Sequence, residues 1–386
     1  MPSYTGKVIS ADSHVIEPWD LWAQRVEKAF KDRAPKLERG PDSDTVVVED
    51  VVMPPIGLAA GVFRSDDDVR REGRWEEDVP ASAYDPDVRM DILEADGISG
   101  EVLYPTLGLM LYPIEDLEFK WALFDAYNDW LAEFCAAHPD QLKGIAMIAH
   151  EDPERAAQGI HRARELGLSG AMIPTIAGEA FAPYHSRHYY PMWQAAVDVS
   201  LPMSIHSATS RERVRKANDT LGVSSLVDEN GVAIPGRNPL SSPLKFELTG
   251  RVLLGMIFGG VFDAFPDLTF VSAENEAGWA PHLLDRADYE FHRYHNVPRL
   301  GFERICVSEP SSYWRTNVKC TFMRDLVAVR THDLVGTESL MFQTDFPHGV
   351  STYPNSRKMI DELFAGVSDD VVSKILYENA ADTYGI

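Results

Sequence analysis

The chain is poor in cysteine, with three in 386 residues: Cys135, Cys306 and Cys320. They are far apart, odd in number and form no C-x-x-C pair, which excludes a disulfide framework and a structural zinc knot. A reducing, cytoplasmic setting is the simplest expectation. Long apolar runs are also missing. The longest, Val252 to Phe262, contains three glycines and runs into Asp263, whereas a membrane span needs about 18 apolar residues. Met1 to Val8 has no apolar stretch fit for a signal peptide. Positive charge is scarce as well: 36 Lys+Arg stand against 60 Asp+Glu, a net −24. That balance excludes the basic footprint of a nucleic-acid binder and would be repelled by an anionic membrane. No solenoid repeat and no low-complexity tract is present.

What remains is ordinary globular composition, with 45% hydrophobic residues, too apolar for a disordered acidic chain. Short runs, apolar on both faces, recur at Val8–Ala11, Ser99–Tyr104, Gly144–Ile148, Gly170–Ile173, Met203–Ile205, Thr269–Ser272, Val318–Phe322 and Leu340–Gln343. Parallel strands buried on both sides have this pattern. Amphipathic segments alternate with them. Asp85-Pro86 and Pro153 signal helix starts, Leu117–His138 carries Trp121, Phe124, Leu131 and Phe134 near helical spacing, and the tail Asp369–Tyr377 closes as a helix. Eight such alternations predict an α/β fold, a single (β/α)8 TIM-type barrel over residues 1–386. The length exceeds the ~250 residues typical of such barrels, so insertions are expected after strands 1 and 5, roughly 36–84 and 207–242. The first carries a small strand, Thr45–Val48.

Site residues in such barrels sit at the carboxyl ends of strands. The first strand ends in Ala11-Asp12-Ser13-His14, the fifth in His206, the sixth in Glu274 and the eighth in Asp345 of Thr344-Asp345-Phe346-Pro347-His348. Asp12 and His14 are two apart, so both point to one side of an extended chain. A D-x-H triplet alone is weak, a histidine after a strand is often structural, and Asp345 or Glu274 could cap a turn or helix. Their joint occurrence at four strand ends favours a metal site with two imidazoles and three carboxylates. No thiolate lies nearby, so the set suits Mn, Fe or Zn, as one or two ions. His348 is a candidate acid/base beside Asp345 and equally a turn-stabilising residue. Glu17 and His150 are candidates for places behind the ligands or along the pocket. The histidines His185 and His188, beside Tyr184, Tyr189 and Tyr190, read as loop packing. Phe63, Trp75, Tyr104, Trp279 and Trp314 are candidates for an aromatic pocket wall, although most such residues belong to cores.

These pieces carry a resemblance. Ser10-Ala-Asp-Ser-His-Val-Ile-Glu-Pro-Trp19, Leu201-Pro-Met-Ser-Ile-His206, Phe265-Pro-Asp-Leu-Thr-Phe-Val-Ser-Ala-Glu274, Gly278-Trp-Ala-Pro281 and Thr344-Asp-Phe-Pro-His348 resemble the amidohydrolase superfamily, in its amidohydrolase-related (amidohydrolase 2) branch. The resemblance implies a distorted TIM barrel, a divalent metal at the strand ends, and hydrolysis or non-oxidative decarboxylation. By motif position it implies that Asp12, His14, His206 and Asp345 are ligands. Two departures stand out. Many members have histidine where this chain has Glu274. Binuclear hydrolytic members carry a bridging lysine at strand four, which here ends Met172-Ile173-Pro174-Thr175. A lysine-bridged dizinc site is therefore not expected.

Three functional expectations follow. The leading one is a metal-dependent hydrolase or decarboxylase acting on a small, aromatic or cyclic carboxylate-bearing molecule, with Asp345 and His348 catalytic and no organic cofactor. An alternative is a non-haem diiron monooxygenase on the same barrel, motivated by the extra carboxylates. A metal-free binding barrel ranks last. The partner is a small molecule, recruited by loop arginines such as Arg70, Arg71, Arg211, Arg213, Arg215 and Arg237. A homo-oligomer is possible, with the Leu123–Leu131 helix and the C-terminal helix as its interface.

Overall fold

The computed structural model describes residues 4–64, 66–68, 70–210, 241–295 and 306–386. Its centre is an eight-stranded parallel sheet of β1 (Ile9–His14), β5 (Gly100–Tyr104), β6 (Leu142–Met147), β7 (Gly170–Ile176), β8 (Met203–Ser210), β9 (Phe270–Ala273), β10 (Val318–Phe322) and β11 (Leu340–Phe342). The strands pair in chain order, with Pro174 of β7 beside His206 of β8 and His206 beside Ala273 of β9. The ends of the sheet meet: the Asp345 amide donates to the Asp12 carbonyl (3.1 Å) and the His14 amide to the Phe346 carbonyl (2.6 Å). The chain is thus an α/β barrel of the TIM type, as the alternation of short apolar runs and amphipathic segments predicts. All eight expected strands are present.

Helices wrap the outside and start where the sequence signals them. Pro86–Asp96 is capped by Asp85, whose Oδ1 accepts from the amides of Asp87 and Val88. Asp152 does the same for Pro153–Glu165 through the amides of Glu154 and Arg155. Each cap satisfies amides that a helix start leaves without partners, and proline at the first position loses no bond there. Between β8 and β9 run two helices, Phe246–Phe258 and Val261–Ala264, separated by Gly259 and Gly260. Gly260 sits at φ +73°, a left-handed conformation that glycine adopts without steric cost.

The first insertion folds into a small antiparallel sheet, β2 (Lys36–Arg39), β3 (Asp44–Val48) and β4 (Val51–Val52), followed by short helical turns. It leans on the β11 end of the barrel: the Val62 amide donates to the Pro347 carbonyl at 3.2 Å. Most of the second expected insertion, including Arg211, Arg213, Arg215 and Arg237, lies outside the described residues.

The apolar residues named for a subunit interface pack within this chain. Leu123 and Leu131 are fully buried within this chain, and Val372, Ile375, Leu376 and Ala380 of the C-terminal segment join the same core. These side chains are covered by the chain's own core. All three cysteines are buried. Among the described residues, no helix is long and apolar enough to cross a membrane.

Candidate metal centre

The strand pleat sets the site. Asp12 and His14 leave the end of β1 on one side, His206 leaves β8, and Asp345 follows β11 with φ +57°. A left-handed aspartate costs backbone energy, and such residues persist where the surroundings over-determine them. Here the seam bond from the Asp345 amide to the Asp12 carbonyl holds the turn. All four side chains are buried to within 1% exposure.

Their donor atoms converge. His14 Nε2 lies 3.5 Å from Asp12 Oδ1 and 3.4 Å from Asp345 Oδ1, and His206 Nε2 lies 3.6 Å from Asp12 Oδ1. Asp12 Oδ1, His14 Nε2, His206 Nε2 and Asp345 Oδ2 are buried atoms with no hydrogen-bond partner among the described residues. An unsatisfied buried polar atom costs roughly 1–3 kcal/mol, so these atoms call for a shared partner: Asp12, His14 and His206 offer donors all within 4.8 Å of one another, and His14 forms a second such group with Asp345 and His348. A divalent cation fits. With bonds of ~2.1 Å, adjacent donors around a tetrahedral or octahedral ion stand roughly 3.0–3.5 Å apart.

The far sides of the imidazoles complete the fit. His14 Nδ1 donates to the Pro105 carbonyl at 2.8 Å and His206 Nδ1 to the Ser207 carbonyl at 2.9 Å. A proton fixed on Nδ1 leaves the Nε2 lone pair aimed at the shared point, the usual arrangement behind a metal-bound histidine. The electrostatics of the bare site agree. Burial, then the neighbouring imidazoles of His348 and His206, hold His14 well below the usual histidine range, so it is neutral. Burial pushes Asp12 up to about 6, against the pull of His206 and with help from the charges of Asp345 and Glu274. Burial would lower His206, but the Asp12 charge and contact outweigh it and raise it to about 9. A central cation reverses this, because it stabilises the ionised carboxylate and the unprotonated ring.

His348 belongs to the same cluster. Its Nδ1 lies 2.9 Å from Asp345 Oδ1, its Nε2 lies 3.1 Å from Thr106 Oγ1, and its ring centre is 4.1 Å from that of His14. Burial works against its protonation, and the Asp345 carboxylate beside it more than compensates, raising its pKa. Asp345 moves the same way: burial raises it more than His348 lowers it. Without a cation, both shifts favour the protonated form of the pair.

The other expected site residues fall elsewhere. Glu274, at φ +56°, stands beside the cluster but turns its carboxylate to the Nδ1 side of His206. There it accepts from the Ser207 hydroxyl and lies 3.4 Å from Lys245 Nζ. It is in neither group of converging donors. Glu17 is buried and accepts from the amides of Thr106 (3.3 Å), Leu107 (2.9 Å) and Gly108 (2.9 Å), so it builds the loop after β5. His150 bonds the Ala177 carbonyl at 3.0 Å and packs against Phe181, Tyr184 and Tyr189. That is the tyrosine cluster expected as loop packing. Of the aromatic candidates, Tyr104 packs against the converging histidines, its ring 5.1 Å from His206, while Trp314 is core. Phe63 is 52% exposed and packs edge-on against Phe346 and Tyr353 at the β11 end. Arg70 reaches Asp78 at 3.6 Å within the insertion.

Several residues that position the site escape a strand-end reading. Arg89 is fully buried. Its Nε donates to Glu101 (2.6 Å), its Nη1 to the His14 carbonyl (2.9 Å), and its Nη2 to the Phe346 carbonyl (3.4 Å). One guanidinium thus holds both lips of the barrel seam. Ser10, Ser13 and Thr344 interlink at 2.9–3.0 Å behind Asp12, and Ser13 donates to Glu101 at 2.8 Å. Thr321 Oγ1 lies 3.3 Å from Asp12 Oδ2 and accepts the Glu274 amide at 2.8 Å. A sequence signal existed for Arg89: it shares the core-facing stripe of its helix with Leu93 and Asp96.

Comparison with known proteins bears on this constellation. A gamma-resorcylate decarboxylase of Rhizobium radiobacter is 24% identical over 274 residues, covering 68% of this chain and 76% of its own. An amidohydrolase structure from Mycobacterium avium subsp. paratuberculosis K-10 superposes with a TM-score of 0.76 at 21% identity, covering 100% of this chain and 99% of its own. A 5-carboxyvanillate decarboxylase from Novosphingobium aromaticivorans, solved with manganese and 4-hydroxy-3-methoxy-5-nitrobenzoic acid, gives 0.68 at 22% identity over 99% of this chain and 97% of its own. The model of the amidohydrolase family matches residues 104–386, a span that holds His206, Glu274, Asp345 and His348 and leaves Asp12 and His14 outside it. With nearly three quarters of its length matched, this chain belongs to the amidohydrolase family of enzymes.

Proposed function

We propose that the protein is a metal-dependent, non-oxidative decarboxylase of aromatic carboxylates, of the phenolic type on which its relatives act. The observation that carries the metal is the convergence of the buried, partnerless donors of Asp12, His14 and His206 at the carboxyl ends of β1 and β8, with Asp345 joining His14 in a second group after β11. The relatives' activities, and a strand four that ends in Pro174-Thr175 without a bridging lysine, favour decarboxylation over binuclear hydrolysis. The comparisons lend no support to the diiron oxygenase reading. In this assignment Asp12, His14, His206 and Asp345 hold one divalent ion. Two carboxylates favour manganese, while two imidazoles also accept zinc or iron. When bound, the ion polarises the oxygens of a substrate carboxylate and neighbouring phenol.

The chain's own residues supply the rest. His14 and His206, fixed by the carbonyls of Pro105 and Ser207, keep the binding point rigid. The buried floor of Tyr104 and the ligands excludes water from it. The Asp345–His348 pair carries the proton. As the bond between ring carbon and carboxyl carbon breaks and carbon dioxide leaves, the ring carbon keeps the electron pair and takes a proton from Asp345. His348 Nδ1, 2.9 Å away, then replenishes Asp345. Thr106 steadies His348 from its other nitrogen. Three buried cysteines, of which Cys135 and Cys320 form no disulfide, also support a cytoplasmic placement.

The test is carbon dioxide release from a panel of hydroxybenzoates, measured on chelator-treated protein reloaded with manganese, zinc or iron. Metal-dependent release without oxygen consumption is expected. Metal-dependent oxygen uptake, or hydrolysis of a cyclic amide or ester without carbon dioxide release, would overturn the assignment.

A further inference from the structure

Behind His206 lies a pair of opposite charges that the binding point does not use directly. Glu274 Oε2 is 3.8 Å from His206 Nδ1 and accepts from the hydroxyl of Ser207, the residue whose carbonyl takes the His206 proton. Its other oxygen is 3.4 Å from Lys245 Nζ. Three anchors keep this carboxylate out of the ring of donors. The Glu274 backbone is left-handed, its amide is held by Thr321 Oγ1 at 2.8 Å, and the Ser207 and Lys245 contacts draw the side chain toward β8. Thr321 Oγ1 also lies 3.3 Å from Asp12 Oδ2, so the same hydroxyl ties Glu274 to a second residue of the cation site. Both side chains are largely buried, Glu274 at 24% and Lys245 at 23% exposure, so their charges are only partly screened by water.

We propose that Glu274 and Lys245 act as an opposed charge pair behind His206 that sets how tightly the site holds its cation, Glu274 tightening and Lys245 loosening it. The inference rests on the metal reading above. Glu274 is then a positioning residue and not a ligand. A carboxylate near the protonated face of a ligating imidazole orients the ring and makes its lone pair more basic, and removing such a partner typically weakens metal binding by about 10–100-fold. An ammonium on the far side of that carboxylate opposes the effect, since its charge repels the cation and partly neutralises Glu274. The arrangement gives the site an affinity set by a difference of two charges, with no change in the ligands.

The sign of the effects separates this role from a structural one. Dissociation constants for manganese and zinc would be measured by chelator competition on the purified full chain. Glu274→Gln is expected to weaken binding roughly tenfold, and Lys245→Met to tighten it several-fold. The double variant should return near the parent, and Glu274→Asp, which keeps the charge, should stay closer to it than Glu274→Gln. The visible spectrum of the cobalt-loaded protein should be unchanged in all of them, because the ligands are unchanged. Loss of affinity in both Glu274→Gln and Lys245→Met, or no change in either, would overturn the pair. An altered cobalt spectrum in Glu274→Gln would make Glu274 a ligand and also overturn it. His206→Ala serves as the separate control: if that variant binds metal as the parent does, the metal reading itself fails.

Discussion

Asp345 touches both the candidate donors and His348. Its Oδ1 lies 2.9 Å from His348 Nδ1 and 3.4 Å from His14 Nε2, while Oδ2 is buried with no hydrogen-bond partner among the described residues. Asp345→Asn keeps the shape and removes both the charge and the proton. It should lower the decarboxylation rate by about 10²–10⁴-fold, measured as carbon dioxide release at saturating metal. A rate within a few-fold of the parent would remove Asp345 from the proton path. Glu17 offers a stability test instead. Burial pushes its carboxyl up to about 7, from an ordinary 4.5, despite the amides of Thr106, Leu107 and Gly108. Below the lower value both folded and unfolded chains hold the proton. Between the two values the unfolded chain releases it and the folded chain keeps it, so stability falls as pH rises and levels above the upper value. The span corresponds to up to about 3 kcal/mol. Glu17→Gln cannot titrate, so its stability relative to the parent should rise across this window in denaturant titrations. A difference independent of pH would show that Glu17 is ionised in the fold throughout.

At the scale of elements, the carboxyl ends of strands gather the candidate donors and the loops after them fix their angles. The turn after β9 shows how. Asp325 Oδ2 accepts from the amides of Ala277 (2.9 Å) and Gly278 (2.6 Å), and a methyl group on Gly278 would stand 2.5 Å from Asp325 Oδ1 and 2.7 Å from Val327 Cβ. Gly278→Ala must push this turn outward, and overpacking of this kind costs about 1–3 kcal/mol. Thermal unfolding should register the loss, and a melting temperature equal to the parent's would show that the turn yields freely. The barrel was legible in the sequence, and so was the gathering of Asp12, His14, His206 and Asp345 at strand ends, because parallel strands buried on both faces leave short apolar runs and their carboxyl ends follow at once. Glu274 was legible as a strand-end acid but not in its direction, which depends on Ser207, Lys245 and a left-handed backbone. Arg89 was missed because its partners, Glu101 and the carbonyls of His14 and Phe346, come together only when the seam closes. Leu123 and Leu131 were offered to a partner subunit because a sequence does not distinguish an apolar face covered by its own barrel from one covered by another chain.

The whole molecule closes at one seam, and the candidate metal point lies beside it. β1 near the start of the chain meets the β11 end through two backbone bonds, Asp345 to Asp12 and His14 to Phe346, with Arg89 bracing both lips. A cation held by Asp12, His14, His206 and Asp345 would join β1, β8 and β11 at this place. It would act as a cross-link between segments more than 300 residues apart in sequence. The unfolded chain has no such preformed site, so binding free energy becomes folding free energy. At free metal of 100 times the dissociation constant, the fold should gain about 2.7 kcal/mol. Chelator treatment should therefore lower the melting temperature, and added manganese should restore it in a concentration-dependent way. In His206→Ala the melting temperature should no longer respond to metal, although the barrel strands still form. Calorimetry of the parent and this variant, each with chelator and with a manganese series, decides it. A parent whose unfolding ignores manganese across a range that supports activity would show that the cation does not brace the seam. The four partnerless donors would then owe their order to Arg89 and the serine–threonine links behind Asp12.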